Sequence, residues 1–290
     1  MNEYSQDLSK FKDVGPFDLY HFEHDDLDKR HVFREICALR KKEKLTRPFV
    51  KLTDMVDNGT GSADGRVWVS IKGNVHMLLG FPVDFKSDFE DEMFPLLVPI
   101  FIRDTFNYFA PDQYICKFAN DIVCKEHHRK TCGLLVRKME GYILISVAGN
   151  LVGCPKNDQL RKNSYGACCM KEHCDKVPTP LEFALQFCRI VMENRYKYDT
   201  IEKVLEIHNK SMNDYGPPYE VSINNPNADL KKDGAFWTQD FPNAYLKVDY
   251  DGKRYQYFPS HYDNVFYKSK GDPEKPKDYY IAHELIDIKK

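Results

Sequence analysis

The stretch that most restricts how this chain can fold is residues 116–150, CKFANDIVCKEHHRKTCGLLVRKMEGYILISVAGN. It holds two apolar runs, 134–136 and 142–147, on either side of Gly141, a spacing that predicts two paired antiparallel strands. Polar residues gather at the strand ends. Lys117, Asn120 and Asp121 come before the first run, Lys130 and Gly133 stand at its mouth, and Gly149 and Asn150 close the second. Lysines and amides collected at the ends of paired strands suit a small anionic ligand, because cationic and N–H donors then converge on one point.

The rest of the 290 residues supports a mixed architecture. At 42% hydrophobic the chain can bury a large core, and its length fits one large domain plus a small one. With 42 basic against 44 acidic residues the net charge is −2, so no field draws the whole protein onto nucleic acid. No segment reaches the roughly 20 apolar residues a membrane helix needs, and the polar start MNEYSQDLSKFKDVG has no secretory pattern. Nine cysteines, an odd number, are scattered along the chain. Cys116, Cys124, Cys132 and Cys188 lie in apolar stretches where a thiol acts as a small hydrophobe. The expected setting is a reduced cytoplasmic interior, with an organelle left open. A second cysteine group, Cys154, Cys168, Cys169 and Cys174 with His173, contains zinc-type ligands, but adjacent Cys168 and Cys169 do not match the paired spacing of structural zinc sites. Free thiols are therefore expected there.

Periodicity predicts strands at 17–23, 48–54, 67–71 and 74–81, the last two joined at Lys72-Gly73, and helices at 31–42 and 94–108, with Pro95 and Pro99 in the opening turn. Another helix begins at Thr179 or Pro180, where Thr179 and Glu182 form a capping-box pattern, and runs to Tyr196; a further one covers 200–212. Asp214, Gly216, Pro217 and Pro218 break the pattern. This divides the chain into a tail (1–16), a main domain (17–216) and an aromatic, β-rich part (217–290) with a hairpin signal at Asp251-Gly252.

Two segments upstream carry chemistry. Gly59, Gly61 and Gly65 followed by Arg66 form a loop whose backbone N–H groups can converge on an anion, with a forked guanidinium at its end. Trp68, Ser70, Gly73 and Asn74 follow, so a large aromatic at the base of the loop can stack on a planar ligand.

Taken in order, GTGSADGRVWVS, Gly73-Asn74, KFAND, KTCGLLV and SVAGNLV resemble the catalytic domain of biotin protein ligases, whose motifs read GRGRRGRxWxSP, KWPND, KxxGILV and GIGINV. The resemblance spans about residues 17–212. It implies an α+β fold, a mixed and largely antiparallel sheet with helices packed on one side, and a small C-terminal SH3-like domain. It also implies an ATP-dependent ligase that makes biotinyl-5'-AMP and passes biotin to a lysine of a carboxylase's biotin-acceptor carrier domain, with ATP, biotin and Mg2+ as ligands. Carried over residue by residue, Lys130 is the catalytic lysine that contacts the acid's carboxylate and the α-phosphate. Asn120, Asp121 and Asn150 hold the nucleotide and its magnesium, with Asp121 as the metal ligand. Arg66 is placed for phosphate and Trp68 for the adenylate. Gly133 allows close backbone approach, and Lys117 opens the middle motif. Gly59, Gly61, Gly65, Asn74 and Gly149 complete the binding set.

This chain departs from the family at three points. Thr60, Ser62, Ala63 and Asp64 stand where the family's loop carries arginines; Phe118-Ala119 replaces Trp-Pro; and Asp25-Asp26-Leu27 falls where Ser-Thr-Asn touches the biotin ring. Lipoate or octanoate ligation on the same fold, and a ligase-like binding protein impaired in catalysis, remain open as alternatives. No helix-turn-helix pattern occurs before Phe17, so no repressor role is expected.

Overall fold

The computed structural model describes residues 15, 17–26, 31–57, 59–60, 67–82, 94–117, 121–156, 159–160, 166–194, 196–198 and 200–215, together with six strands farther on. A seven-stranded sheet organises the described residues up to Tyr215. In chain order its strands are β1 (Asp18–Asp26), β2 (Phe49–Asp57), β5 (Val75–Pro82), β6 (Tyr114–Lys117), β7 (Asp121–Cys124), β8 (Lys130–Met139) and β9 (Tyr142–Gly149). Across the sheet the order is β1-β2-β5-β9-β8-β7-β6, with β1 and β2 parallel and every other pair antiparallel. The parallel pair is joined through helix α1 (His31–Lys42), as a crossover connection requires.

Alternation along the strands gives the sheet two different faces. On one, Val50, Leu52, Val75, Met77, Leu79, Ile145 and Val147 are buried against helices α2 (Phe94–Phe109), α3 (Pro180–Asn194) and α4 (Ile201–Tyr215). Burying each such side chain contributes about 1.5–3 kcal/mol, so this layer dominates the core. α3 begins as its sequence predicts: Thr179 Oγ1 accepts from the Glu182 amide at 3.2 Å, while the Thr179 amide donates to Glu182 Oε2 at 2.8 Å. Pro99, however, lies inside α2 and not in its first turn.

The opposite face corrects the expectation that all helices share one side. Ile36 of α1 packs there with Phe49 and Leu144, residues that alternate with those under α2–α4. Arg40 anchors α1 to this face: wholly buried, it donates to Asp18 Oδ2 at 2.7 Å and to the Tyr20 hydroxyl at 3.2 Å, and its guanidinium lies 5.0 Å from the Phe49 ring centroid. The long cationic arm of Arg40 completes an apolar contact too small to seat the helix alone.

Of the strand expected at 67–71 only Val67–Trp68 is extended in a ladder, and it does not pair with the strand that follows the turn. Strand β4 (Val67–Trp68) pairs instead with β3 (Gly59–Thr60), and β5 lies between β2 and β9. The Lys72-Gly73 turn is real, with Gly73 at φ +91° and Asn74 N–H bonded to Ile71 O at 3.0 Å, but it redirects the chain from one sheet into another.

Beyond Tyr215, β10 (Glu220–Val221), β11 (Ala235–Asp240), β12 (Tyr245–Tyr250), β13 (Lys253–Tyr257), β14 (Tyr267–Lys268) and β15 (Ile286–Asp287) pair antiparallel in the order β14-β10-β11-β12-β13-β15. Tyr250 pairs with Lys253 across the predicted Asp251-Gly252 turn. Among the described residues no helix is long and apolar enough to cross a membrane.

Candidate functional site

Strand pairing places one residue of every central strand in a single row. From β1 to β6 the row reads Phe22, Thr53, His76, Ala148, Gly133, Asp121, Lys117. It lies on the face that carries α1, four residues farther along each strand than Phe49, Gly80 and Leu144, or about 13 Å at the usual rise per residue. Among the described residues, the contacts of α1 lie at the other end of this face. Ala148 and Gly133, at the centre of the row, form its lowest part.

One end of the row is ionic. Lys130 Nζ lies 2.6 Å from Asp121 Oδ1, and Lys117 Nζ lies 3.7 Å from Asp121 Oδ2. Lys117 is buried, but 41% of the Lys130 side chain is exposed, so Lys130 is the cation that can reach an incoming anion. Its position has a backbone cause. The register of β7 against β8 shifts between Ile122 and Val123, and Lys130 pairs opposite Val123. That bulge brings a residue at the strand's edge back over the row. A Cβ on Gly133 would stand 2.9 Å from both Lys130 Cε and Nζ, so the glycine makes the space in which the ammonium lies. Two lysines around one carboxylate leave a net positive charge, suited to phosphate or carboxylate. Asp121 faces both ammonium groups, and among the described residues it belongs to no cluster of three metal-type ligands.

Asn74 and Asn150 behave differently. Asn74 Nδ2 donates to Asn150 Oδ1 at 3.2 Å and to Gly153 O at 2.8 Å, while its Oδ1 accepts from the amides of Leu151, Val152 and Gly153 at 2.9, 3.0 and 3.3 Å. Asn150 Nδ2 donates to Cys168 O at 3.1 Å. Both side chains are buried and used internally, fastening the end of β9 to the turn before β5. Gly149 is closely packed: a Cβ there would meet Val75 Cγ1 at 3.0 Å and Phe106 Cζ at 3.1 Å.

Gly59 and Trp68 are paired partners at the base of the glycine loop, and the indole Nε1 of Trp68 is buried without a hydrogen-bond partner among the described residues. An acceptor from a ligand would satisfy it. Gly61, Gly65, Arg66 and Asn120 lie outside the described residues, as do Phe118 and Ala119.

The other end of the row contains groups that sequence reading passed over. His76 is buried, contacts Ser70 Oγ at 3.3 Å, and burial lowers its pKa to about 4, so it is neutral. Lys51, on the same face of β2, is buried too, and burial lowers its ammonium to about 8. A lysine and a histidine inside apolar strands (FVKLTDM, VHMLLGF) are the signal that could have singled them out.

No family model matches the sequence, and no curated protein matches it. Solved structures do. Biotin protein ligase from Aquifex aeolicus, in complex with biotin and ATP, superposes with a TM-score of 0.62 at 15% identity, covering 87% of this chain and 99% of that one. Biotin protein ligase from Leishmania major with biotinyl-5-AMP gives 0.57 at 20% identity, covering 82% and 97%. The Helicobacter pylori biotin acetyl coenzyme A carboxylase synthetase with bound biotinylated ATP gives 0.53 at 15% identity, covering 82% and 98%. The chain therefore has the fold of these biotin protein ligases.

Proposed function

We propose that the protein is an acyl-adenylate-forming ligase that activates biotin with ATP and transfers it to a lysine of an acceptor carrier domain. The observation that carries this reading is the half-exposed Lys130 ammonium, held over Gly133 by Asp121 at the charged end of the cross-strand row. In the first step a carboxylate oxygen of the acid attacks the α-phosphorus of ATP and pyrophosphate leaves. Carboxylate and phosphate repel one another until a cation lies between them, and Lys130 is that cation; Asp121 fixes its direction and Lys117 adds charge from below. In the second step the acceptor amine attacks the acyl carbonyl, loses its proton and expels AMP, and the same ammonium stabilises the departing phosphate.

The ring of the acid would lie toward Ala148, His76 and Thr53, and the adenylate against Trp68. Magnesium would arrive with ATP, bound mainly by phosphate oxygens, since the described residues supply no cage of their own. Arg66 and Asn120 are assigned to the nucleotide through their motifs. The carboxylase carrier partner rests on the same resemblance.

The test is intact-mass analysis of an isolated carboxylase carrier domain incubated with the protein, ATP, MgCl2 and either biotin, lipoate or octanoate, with pyrophosphate release followed in parallel. A biotin-sized mass increase only in the biotin arm is expected. An octanoyl or lipoyl increase would reassign the acid. Biotin-induced thermal stabilisation without pyrophosphate release would make the protein a ligase-like binder, and silence in every arm would overturn the proposal.

A further inference from the structure

Behind Lys130, on the far side of β8 from Asp121, the fold assembles a second group of chemical side chains. The segment 166–168 runs parallel to the start of β8: Lys130 N–H donates to Gly166 O at 3.1 Å, and Cys168 N–H donates to Lys130 O at 3.0 Å. This puts Cys168 beside Cys124, the last residue of β7, and the 3-10 turn Met170–Glu172 then brings round His173. One ligand atom each from Cys124, Cys168 and His173 lies within 4.8 Å of the others.

We infer that Cys124, Cys168 and His173 bind a soft divalent cation, zinc by preference, which clamps the end of β7 to the segment that supports Lys130. Zinc takes cysteine sulfur at about 2.3 Å and histidine nitrogen at about 2.0 Å in a tetrahedron. That geometry sets the donors about 3.3–3.8 Å apart, so the present arrangement closes around the ion with movements of about 1 Å.

Two independent observations point to a ligand. His173 Nε2 is buried and has no hydrogen-bond partner among the described residues, as a nitrogen reserved for a metal would be. The Tyr114 hydroxyl, on a side chain almost wholly buried, is also without a partner among the described residues, and the Tyr114 ring lies edge-on to that of His173 with centroids 5.5 Å apart. Buried polar atoms are seldom left unpaired, and two around one trio of donors mark a missing group. The fourth position of the tetrahedron falls to water. A neighbouring trio, Cys154, Cys169 and Glu172, is a poorer site, because Glu172 is already taken by Arg129 at 2.7 Å and the Cys169 amide at 2.9 Å.

Sequence spacing hid this arrangement. Cys168 and Cys169 suggest no zinc pattern by themselves, and the sulfur that completes the set comes from a strand 44 residues upstream.

The experiment measures zinc per chain by inductively coupled plasma mass spectrometry on full-length protein purified without chelator, and the spectrum after exchange with Co2+. About one zinc per chain and a strong thiolate-to-cobalt absorption are expected. Both should fall at least tenfold in Cys168→Ser and in His173→Gln, and persist in Cys154→Ser and Cys188→Ser. His173→Gln, on a residue that is not fully buried, guards against loss of fold in the cysteine variant, with circular dichroism as the check. Metal-free wild-type protein that does not take up Co2+, unchanged metal in both ligand variants, or a Cys124–Cys168 disulfide in the unreduced protein would each overturn the inference. The readout is metal content, so it is independent of which acid the enzyme activates.

Discussion

Two polar groupings stand at the same end of the sheet and solve opposite problems. Around Asp121 the charges are paired unevenly, two ammonium groups to one carboxylate, and one of the ammonium groups stays in reach of solvent. Around Asn74 every polar atom of the side chain is engaged, and the residue is completely buried. Both groupings come from motif positions that resemble one ligand-binding family, yet only the first is left with capacity for a ligand. A motif residue can serve a site by touching the ligand or by holding the chain that does, and burial with satisfied hydrogen bonds separates the two.

The sharpest way to break this contrast is Lys130→Ala. If the exposed ammonium carries the adenylation chemistry, acid-dependent pyrophosphate release should fall by about 100-fold or more, the usual effect of removing one preorganised donor from a developing charge. The melting temperature should hardly move, because exposed ion pairs contribute little. Unchanged release would remove Lys130 from the site.

Asn74→Ala should do the reverse. Three backbone N–H groups, those of Leu151, Val152 and Gly153, lose their acceptor, a loss of about 2–4 kcal/mol for buried donors. At about 2–4 °C per kcal/mol for a domain of this size, melting should fall by about 4–16 °C. A drop in pyrophosphate release at full thermal stability would instead show that Asn74 meets the ligand directly.

These two outcomes bear on what could be read before folding. The hairpin 130–149, helices α1 to α4 and the capping box were legible because hydrophobic period and cap chemistry are local signals. The cross-strand row was not, since it depends on register over seven strands, and neither was α1's separate face, which rests on one buried arginine. Lys130 was legible as a strand-mouth lysine; that Asn74 and Asn150 bond to each other across 76 residues was not. His76 and Lys51 stayed hidden because an isolated polar residue in an apolar strand does not tell which face it joins.

Acid pH sharpens the comparison next. His76 on the row and His208 in α4, whose Nε2 meets Leu96 O at 2.7 Å, are both kept neutral by burial, with pKa lowered to about 4 from 6.5. The unfolded chain takes up protons below pH 6.5 while the folded one does so only near 4, so their stabilising effect is complete above about 6.5 and is lost as pH falls through that window. By pH 5 each costs about 2 kcal/mol. Melting curves should fall steeply between pH 7 and 5, and His76→Gln should make that fall shallower. A flat profile would mean that neither imidazole is held neutral.

Gly133→Ala probes the finest part of the contrast, the space in which the Lys130 ammonium lies. The new methyl would stand 2.9 Å from Lys130 Cε and Nζ and 3.7 Å from Asp121 Oδ1. What it strikes is the far end of a flexible side chain, so Lys130 can swing away and the fold should lose almost nothing. The swing, however, lengthens the 2.6 Å contact with Asp121 and moves the ammonium off the row, and a displacement of this order should slow pyrophosphate release about tenfold. Raising ATP and biotin should not recover the rate, because the loss is in placing the charge and not in filling the site. A variant that melted much earlier but kept its rate would put Gly133 with Asn74 among the residues that hold the chain, and would leave the row's floor as packing alone.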